Sequence, residues 1–232
     1  MTVAAVVPAA GRGERLGPGL PKALRDLGTL PLLVYAVRAL ALARRVDVVV
    51  VAAPPDAVAG VRRLLSSHDV PAEVSVVPGG ATRQESVAAA LAALAPEVDV
   101  VLVHDAARPL APSELADAVA AAVLAGADAV VPALPMPDTV KRVDAGDRVV
   151  ETLDRAALRA VQTPQGFRRA VLAAAHERAR GAAATDDAGL VEAMGITVRV
   201  IPGHPEAFKI TRPLDLVFAE AVLATRRAAG AR

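Results

Sequence analysis

The sequence predicts an α/β fold: a doubly wound, mostly parallel sheet with helices on both faces, plus a protruding β-hairpin arm. Three observations predict it. Valine-rich runs alternate with Ala/Leu-rich stretches of helical length along the 232 residues. Runs such as Val98-Asp99-Val100-Val101-Leu102-Val103 are almost wholly apolar, which indicates burial on both faces and hence parallel strands between helix layers. One stretch, 137–153, breaks the alternation with polar extended segments around a Gly turn.

The first strand, 3–8, ends at Pro8 and enters Ala9-Ala10-Gly11-Arg12-Gly13-Glu14-Arg15-Leu16-Gly17, followed by Pro21-Lys22. Glycine permits close backbone approach to a ligand, and a turn at a strand's carboxyl end gathers N–H groups into an anion-binding concavity. Arg15 and Lys22 add side-chain charge, so the segment suits a polyphosphate. A plain strand-to-helix turn with a solvated lysine fits the same residues. Ala23 after Lys22 excludes a Walker A loop. The G-x-G-x-x-x-G spacing departs from the dinucleotide fingerprint, as does a second strand ending in Ala52-Ala53-Pro54-Pro55 without an acidic residue.

Helix 31–45 and strand 46–53 come next, then helix 56–67 and strand 73–77. In Gly79-Gly80-Ala81-Thr82-Arg83-Gln84-Glu85-Ser86, Thr82 and Glu85 form a capping box, which predicts a helix over 82–94. Gly80 and Ser86 beside that cap can read a base edge. Strand 98–103 leads into His104-Asp105-Ala106-Ala107-Arg108-Pro109. There the two alanines leave room and Asp105 can hold a ribose hydroxyl or the water shell of a magnesium ion. Arg108 can grip a phosphate bidentately; an Asp105–Arg108 ion pair is the alternative. Helix 113–125 and strand 128–133 follow, then a hairpin with strands near 139–143 and 148–153. A lone hairpin is marginal in water, so this arm packs either on a second subunit or back on its own domain. Helices 167–179, 186–194 and 213–227 and strand 197–201 complete the chain. Thr163-Pro164 and Arg212-Pro213 read as helix starts, and Thr185-Asp186-Asp187 as an N-cap with acids suited to the helix dipole.

Composition narrows the function. The chain is 54% hydrophobic but only 2% aromatic, which suits helices packed closely on a valine sheet. With 26 basic and 25 acidic residues, the net charge of +1 provides no global field for nucleic acid or membrane. The absence of cysteine excludes disulfides, Cys-based zinc sites and a Cys nucleophile. Four scattered histidines give no protein-built metal cage, leaving Asp105 as the one candidate for direct ligation. No uncharged apolar stretch reaches membrane-spanning length and no basic n-region opens the chain, which points to a cytoplasmic protein.

Singly, each of these motifs has a structural explanation; their ordered coincidence does not. Pro-Ala-Ala-Gly-x-Gly-x-Arg, Pro-Lys, Gly-Gly-x-x-Arg-x-x-Ser-Val, His-Asp-Ala-Ala-Arg-Pro, Thr-Pro-Gln-x-Phe, Thr-Asp-Asp and Lys-Ile-Thr-Arg-Pro-x-Asp closely resemble the 2-C-methyl-D-erythritol 4-phosphate cytidylyltransferase family over about 3–218. Ala23 departs from the glutamine usual in the family after Pro-Lys. The resemblance implies a nucleotide-diphospho-sugar transferase-like fold, one domain over 1–232, and an arm at 137–153 that makes a homodimer. It implies transfer of a cytidylyl group from CTP to 2-C-methyl-D-erythritol 4-phosphate, with Mg²⁺ held mainly through the CTP phosphates. Arg15 and Lys22 are expected on the CTP phosphates, and Arg155 and Lys209 on the acceptor phosphate. Ala9, Ala10, Gly11, Gly13, Gly80, Ser86, Asp105 and Ala106 are expected to hold the nucleotide. Arg108, Thr139, Thr163 and Thr185 are expected to line the acceptor pocket. Two other readings remain: a ribitol 5-phosphate cytidylyltransferase, disfavoured by the small Ala107, and a non-catalytic nucleotide-binding dimerisation module, disfavoured by retention of all four cations.

Overall fold

A computed structural model describes residues 1–11, 21–68, 70–179 and 185–230. Its elements in chain order begin with β1 (Thr2–Pro8), β2 (Asp26–Leu27), β3 (Leu30–Pro31), α1 (Leu32–Ala41), β4 (Val48–Ala53), α2 (Val58–Ser66), β5 (Glu73–Pro78), α3 (Arg83–Ala92) and β6 (Val98–Val103). They continue with α4 (Ser113–Leu124), β7 (Ala129–Pro135), β8 (Val140–Val143), β9 (Val149–Leu153), β10 (Arg159–Val161), β11 (Gln165–Arg168), α5 (Arg169–Arg178), α6 (Asp187–Glu192), β12 (Val198–Pro202) and α7 (Pro213–Ala228).

Parallel pairing joins β5, β4, β1 and β6 in that order. The next strand is β11, which runs antiparallel to both β6 and β7, so β6 and β7 never touch as neighbours. Ala129 is paired on both sides, with Phe167 and with Val198, and Ala133 likewise with Val161 and Pro202. Thus β10 and β11 lie along one edge of β7 and β12 lies along the other. β10 and β11 form a single antiparallel pass along β7, interrupted at Gln162–Pro164, where Gln162 N–H still reaches Pro132 O at 2.8 Å.

Alternation along the strands sorts the core into two layers. Val3, Ala5 and Val7 face α1, α2 and α4, whereas Ala4 and Val6 face α3, α5 and α6. A third cluster, built on Leu27, Leu32, Leu110 and Ile210, docks α7.

Two sequence expectations are corrected. The helix predicted at 167 begins at Arg169, because Gly166 and Phe167 are extended and wedged between β6 and β7. A Cβ on Gly166 would press on Leu102 and Val123 at 3.1 Å, so this close approach needs glycine. The Thr163-Pro164 pair, read as a helix start, instead interrupts the β10–β11 pass. The expected hairpin is present: β8 and β9 form a two-stranded sheet of their own, with Arg142 opposite Glu151 and their charged ends 2.5 Å apart.

Candidate active site

The carboxyl ends of β1, β4, β5 and β6 converge on one side of the sheet, where ligands bind in open α/β folds. Backbone bonds carry the loops onward from the strands: Ala9 N–H donates to Ala52 O at 2.8 Å, Gly79 N–H to Ala53 O at 2.7 Å and His104 N–H to Val6 O at 2.9 Å. Between these loops lies an open cleft of about 200 Å³. Ala9, Ala10 and Gly11 line its β1 side, and Ser86, Asp105 and Ala106 its opposite side. Lys22 and Lys209 bring positive charge to it from two distant parts of the chain.

Asp105 is the hub. Its Oδ1 accepts from Arg83 Nε at 3.0 Å and its Oδ2 from Lys209 Nζ at 2.7 Å. Burial alone would raise this carboxyl, but Arg83 and then Lys209 hold it well below the usual carboxylate range. Lys209 is delivered because Ile210 N–H donates to Ala107 O at 2.8 Å, docking the segment beside the cleft. The ion-pair alternative for Asp105 is therefore realised with Arg83 and Lys209 rather than with Arg108.

A buried hydrogen-bond chain fixes Asp105 from behind. Asp105 N–H donates to Thr163 Oγ1 at 3.0 Å, and Thr163 Oγ1 lies 3.1 Å from His104 Nδ1. His104 Nε2 faces only an acceptor, Arg108 O, at 3.2 Å. Nε2 therefore carries the proton, and the threonine hydroxyl donates to Nδ1. Burial lowers His104 to about 4 against the pull of Asp105, so the ring is neutral near pH 7.

Several expected site residues stand elsewhere. Thr163, expected at the acceptor pocket, is buried with its hydroxyl engaged inside the protein, which makes it a prop for Asp105. Arg108, expected to grip a phosphate, donates from Nη1 to Ala207 O at 2.6 Å and from Nη2 to Val161 O at 3.2 Å. Its fork is thus committed to backbone, and its buried Nε has no partner. Gly80 does not itself line the cleft but donates its N–H to Ser86 Oγ, on a lining residue, at 3.2 Å. Thr139, Arg155 and Thr185 are exposed, and none of them lines the cleft. Arg155 follows the arm and donates to Pro137 O at 2.6 Å. Gly13 and Arg15 lie outside the described residues.

Sequence reasoning left Arg83 without a role, although it lines the cleft. The signal was present. An arginine in the first turn of a helix is disfavoured by the helix dipole, which singles Arg83 out as a residue held there by acidic partners.

The model of the 2-C-methyl-D-erythritol 4-phosphate cytidylyltransferase family matches residues 3–225. The chain belongs to this family. A relative from Streptomyces coelicolor bearing that name is 60% identical, over 97% of this chain and 86% of its own. The crystal structure of the enzyme of that name from Thermus thermophilus superposes with a TM-score of 0.78 at 40% identity, covering 97% of this chain and 100% of that one. The structure of 4-diphosphocytidyl-2C-methyl-D-erythritol synthase from Anaerococcus prevotii gives 0.84 at 28% identity, with 96% of each chain covered. These structures share the mixed, mostly parallel sheet that the alternation of the sequence predicts.

Proposed function

We propose that this family member transfers the cytidylyl group of CTP to the phosphate of 2-C-methyl-D-erythritol 4-phosphate. The products are 4-(cytidine 5'-diphospho)-2-C-methyl-D-erythritol and pyrophosphate, in non-mevalonate isoprenoid precursor synthesis. The observation that carries this reading is the cleft at the carboxyl edge of the sheet, which has small residues along its β1 side and Lys22 and Lys209 on its wall. Small residues admit a nucleotide close to the backbone, and two cations suit a site where two anions must meet.

The acceptor phosphate oxygen attacks the α-phosphorus in line as the bond to pyrophosphate breaks. The nucleophile is already anionic, so no general base is needed. Positioning and charge stabilisation carry the rate. Lys22, with Arg15, neutralises charge that grows on the α-phosphate; Lys209 aims the acceptor phosphate. Gly11 and Gly13 meet the nucleotide phosphates, and Ala9, Ala10, Gly80, Ser86, Asp105 and Ala106 its cytosine and ribose. Arg108, Thr139, Thr163 and Thr185 would serve the acceptor; for Arg108 and Thr163 that requires releasing bonds they now make within the protein.

The protein donors do not fit a resident magnesium ion. Both Asp105 oxygens are occupied by cations, and no cluster of three or more His, Asp or Glu side chains able to hold a metal exists among the described residues. A magnesium ion would arrive on the triphosphate, which offers the oxygen ligands it prefers. No helix among the described residues is long and apolar enough to cross a membrane, in keeping with a cytoplasmic enzyme. The whole chain would act as one domain that dimerises through 137–153.

Pyrophosphate release from CTP, assayed separately with 2-C-methyl-D-erythritol 4-phosphate and with ribitol 5-phosphate, tests the reading. Turnover with the second acceptor alone would reassign the substrate, and release with neither would leave a binding module. Lys22→Ala should lower kcat about 10²–10³-fold, the loss expected when one preorganised stabilising group is removed. A near-normal kcat with weaker CTP binding alone would contradict that role.

A further inference from the structure

Arg83 makes two ion pairs at once. From the first turn of α3, its Nε lies 3.0 Å from Asp105 Oδ1 and its Nη1 lies 2.6 Å from Asp187 Oδ2. Asp187 is buried at the start of α6, and its Oδ1 lies 2.8 Å from His176 Nε2 on α5. The other ring nitrogen of His176 is buried without a partner, so holding Asp187 is the polar work the structure gives this histidine. A continuous series of contacts, His176–Asp187–Arg83–Asp105–Lys209, therefore runs from the core of the second helix layer to the cleft.

The charges in this series make its function specific. Asp105 has two oxygens and two cations, one on each. Were Arg83 absent, the full carboxylate charge would fall to Lys209 alone and draw its ammonium down onto Asp105. With Arg83 in place that demand is shared, and the ammonium remains available to an incoming anion. Asp187 and His176 in turn stop the guanidinium from rotating out of this position.

We propose that Arg83 is a positioning residue for the transfer reaction: anchored by Asp187, it shares the Asp105 carboxylate so that Lys209, while paired with Asp105, keeps ammonium N–H donors for the acceptor phosphate. This rests on the transfer reading given above. A lysine cannot replace Arg83, because one ammonium group cannot span the two carboxylates that the planar fork bridges.

The test is a double-mutant cycle between Arg83→Gln and Lys209→Gln in the full-length protein, with KM for each substrate and kcat measured separately and folding monitored by circular dichroism and Tm. Arg83→Gln should raise the acceptor KM about 10- to 100-fold, in line with loss of hydrogen bonds to a charged group. It should leave KM for CTP within a few-fold, and Arg83→Lys should not restore the acceptor KM. In the Lys209→Gln background the same change should cost little more, since its route to the substrate is already gone. Losses that simply add, an unchanged acceptor KM, or full rescue by Arg83→Lys would each overturn the proposal. If Arg83→Gln fails to fold, Asp187→Asn keeps the size of the side chain and replaces Arg83 in the same cycle; there too, additive losses overturn the proposal. A wild-type chain that releases no pyrophosphate from this substrate pair would overturn the transfer reading itself, and the proposal with it.

Discussion

His104 shows how one buried ring makes the site sensitive to acid. Folded, it takes up a proton only near 4, whereas in the unfolded chain it does so near 6.5. Between these values the unfolded state binds more protons. The ring's contribution to stability is therefore complete above pH 6.5 and is lost as pH falls through about 4, at a cost of roughly 3 kcal/mol. Asp105 and Asp187, whose carboxyls are both held low, add to the acid loss only near and below their ordinary value of 3.8. Urea unfolding of wild type and His104→Asn between pH 7 and 4.5 should show a steeper decline in the wild type; parallel declines would exclude this role. At this scale the sequence was legible in part. Asp105 at the end of a buried strand announced a ligand rim, but its partners Arg83 and Lys209 stand 22 and 104 residues away. Only packing brings them together. The helix start at 185–187 illustrates the same limit: the sequence favours Thr185 as the N-cap followed by two acids, yet Asp186 is the cap, accepting from Gly189 N–H at 3.0 Å, while Asp187 turns inward to Arg83 and His176.

At the scale of elements, strand and helix patterns were legible wherever the composition was uniform. Strand 98–103 was placed to the residue, and the Thr82–Glu85 cap starts its helix with both reciprocal bonds made. β10 and β11 escaped notice because Gln162-Thr163-Pro164-Gln165 is polar and interrupted by proline, and sheet neighbours rather than local preference make this segment extended. The loop after β5 invites a direct test of how tightly the elements meet. A Cβ on Gly79 would meet Ala10 Cβ at 2.8 Å and Ser86 Oγ at 2.9 Å. Ser86 Oγ cannot move freely, because it donates to Thr82 O at 2.9 Å. Gly79→Ala should therefore spread the β1 and β5 loops apart, costing about 1–3 kcal/mol by overpacking and raising KM for CTP about tenfold. Acceptor KM should change little. A variant with wild-type KM for CTP would show that this contact does not shape the nucleotide site.

For the whole molecule, the arm raises the question of a partner. Val149 and Val150 are 59% and 57% exposed. Consecutive strand residues point to opposite faces, so neither face of the ribbon is covered at these positions. The sequence made the arm legible through its polar alternation and Gly turn, but left open where it packs. We infer that it joins a second copy and that Arg155, which follows it, serves the partner's cleft. Arg155→Ala and Lys22→Ala chains, each strongly impaired alone, should then regain activity when mixed under subunit exchange, because one site of each heterodimer carries neither change. If mass spectrometry confirms heterodimers and no activity returns, Arg155 serves its own chain. The sheet has its own consequence for synthesis. β6 and β7 are made before β11, the strand that separates them. Until residues 165–168 leave the ribosome, the far edge of β6 presents unpaired backbone groups along the apolar run Val100–Val103. At translation rates of about 5–20 residues per second this seam stays open on the order of seconds. That open strand edge makes the unfinished chain a form exposed to aggregation by non-native strand pairing.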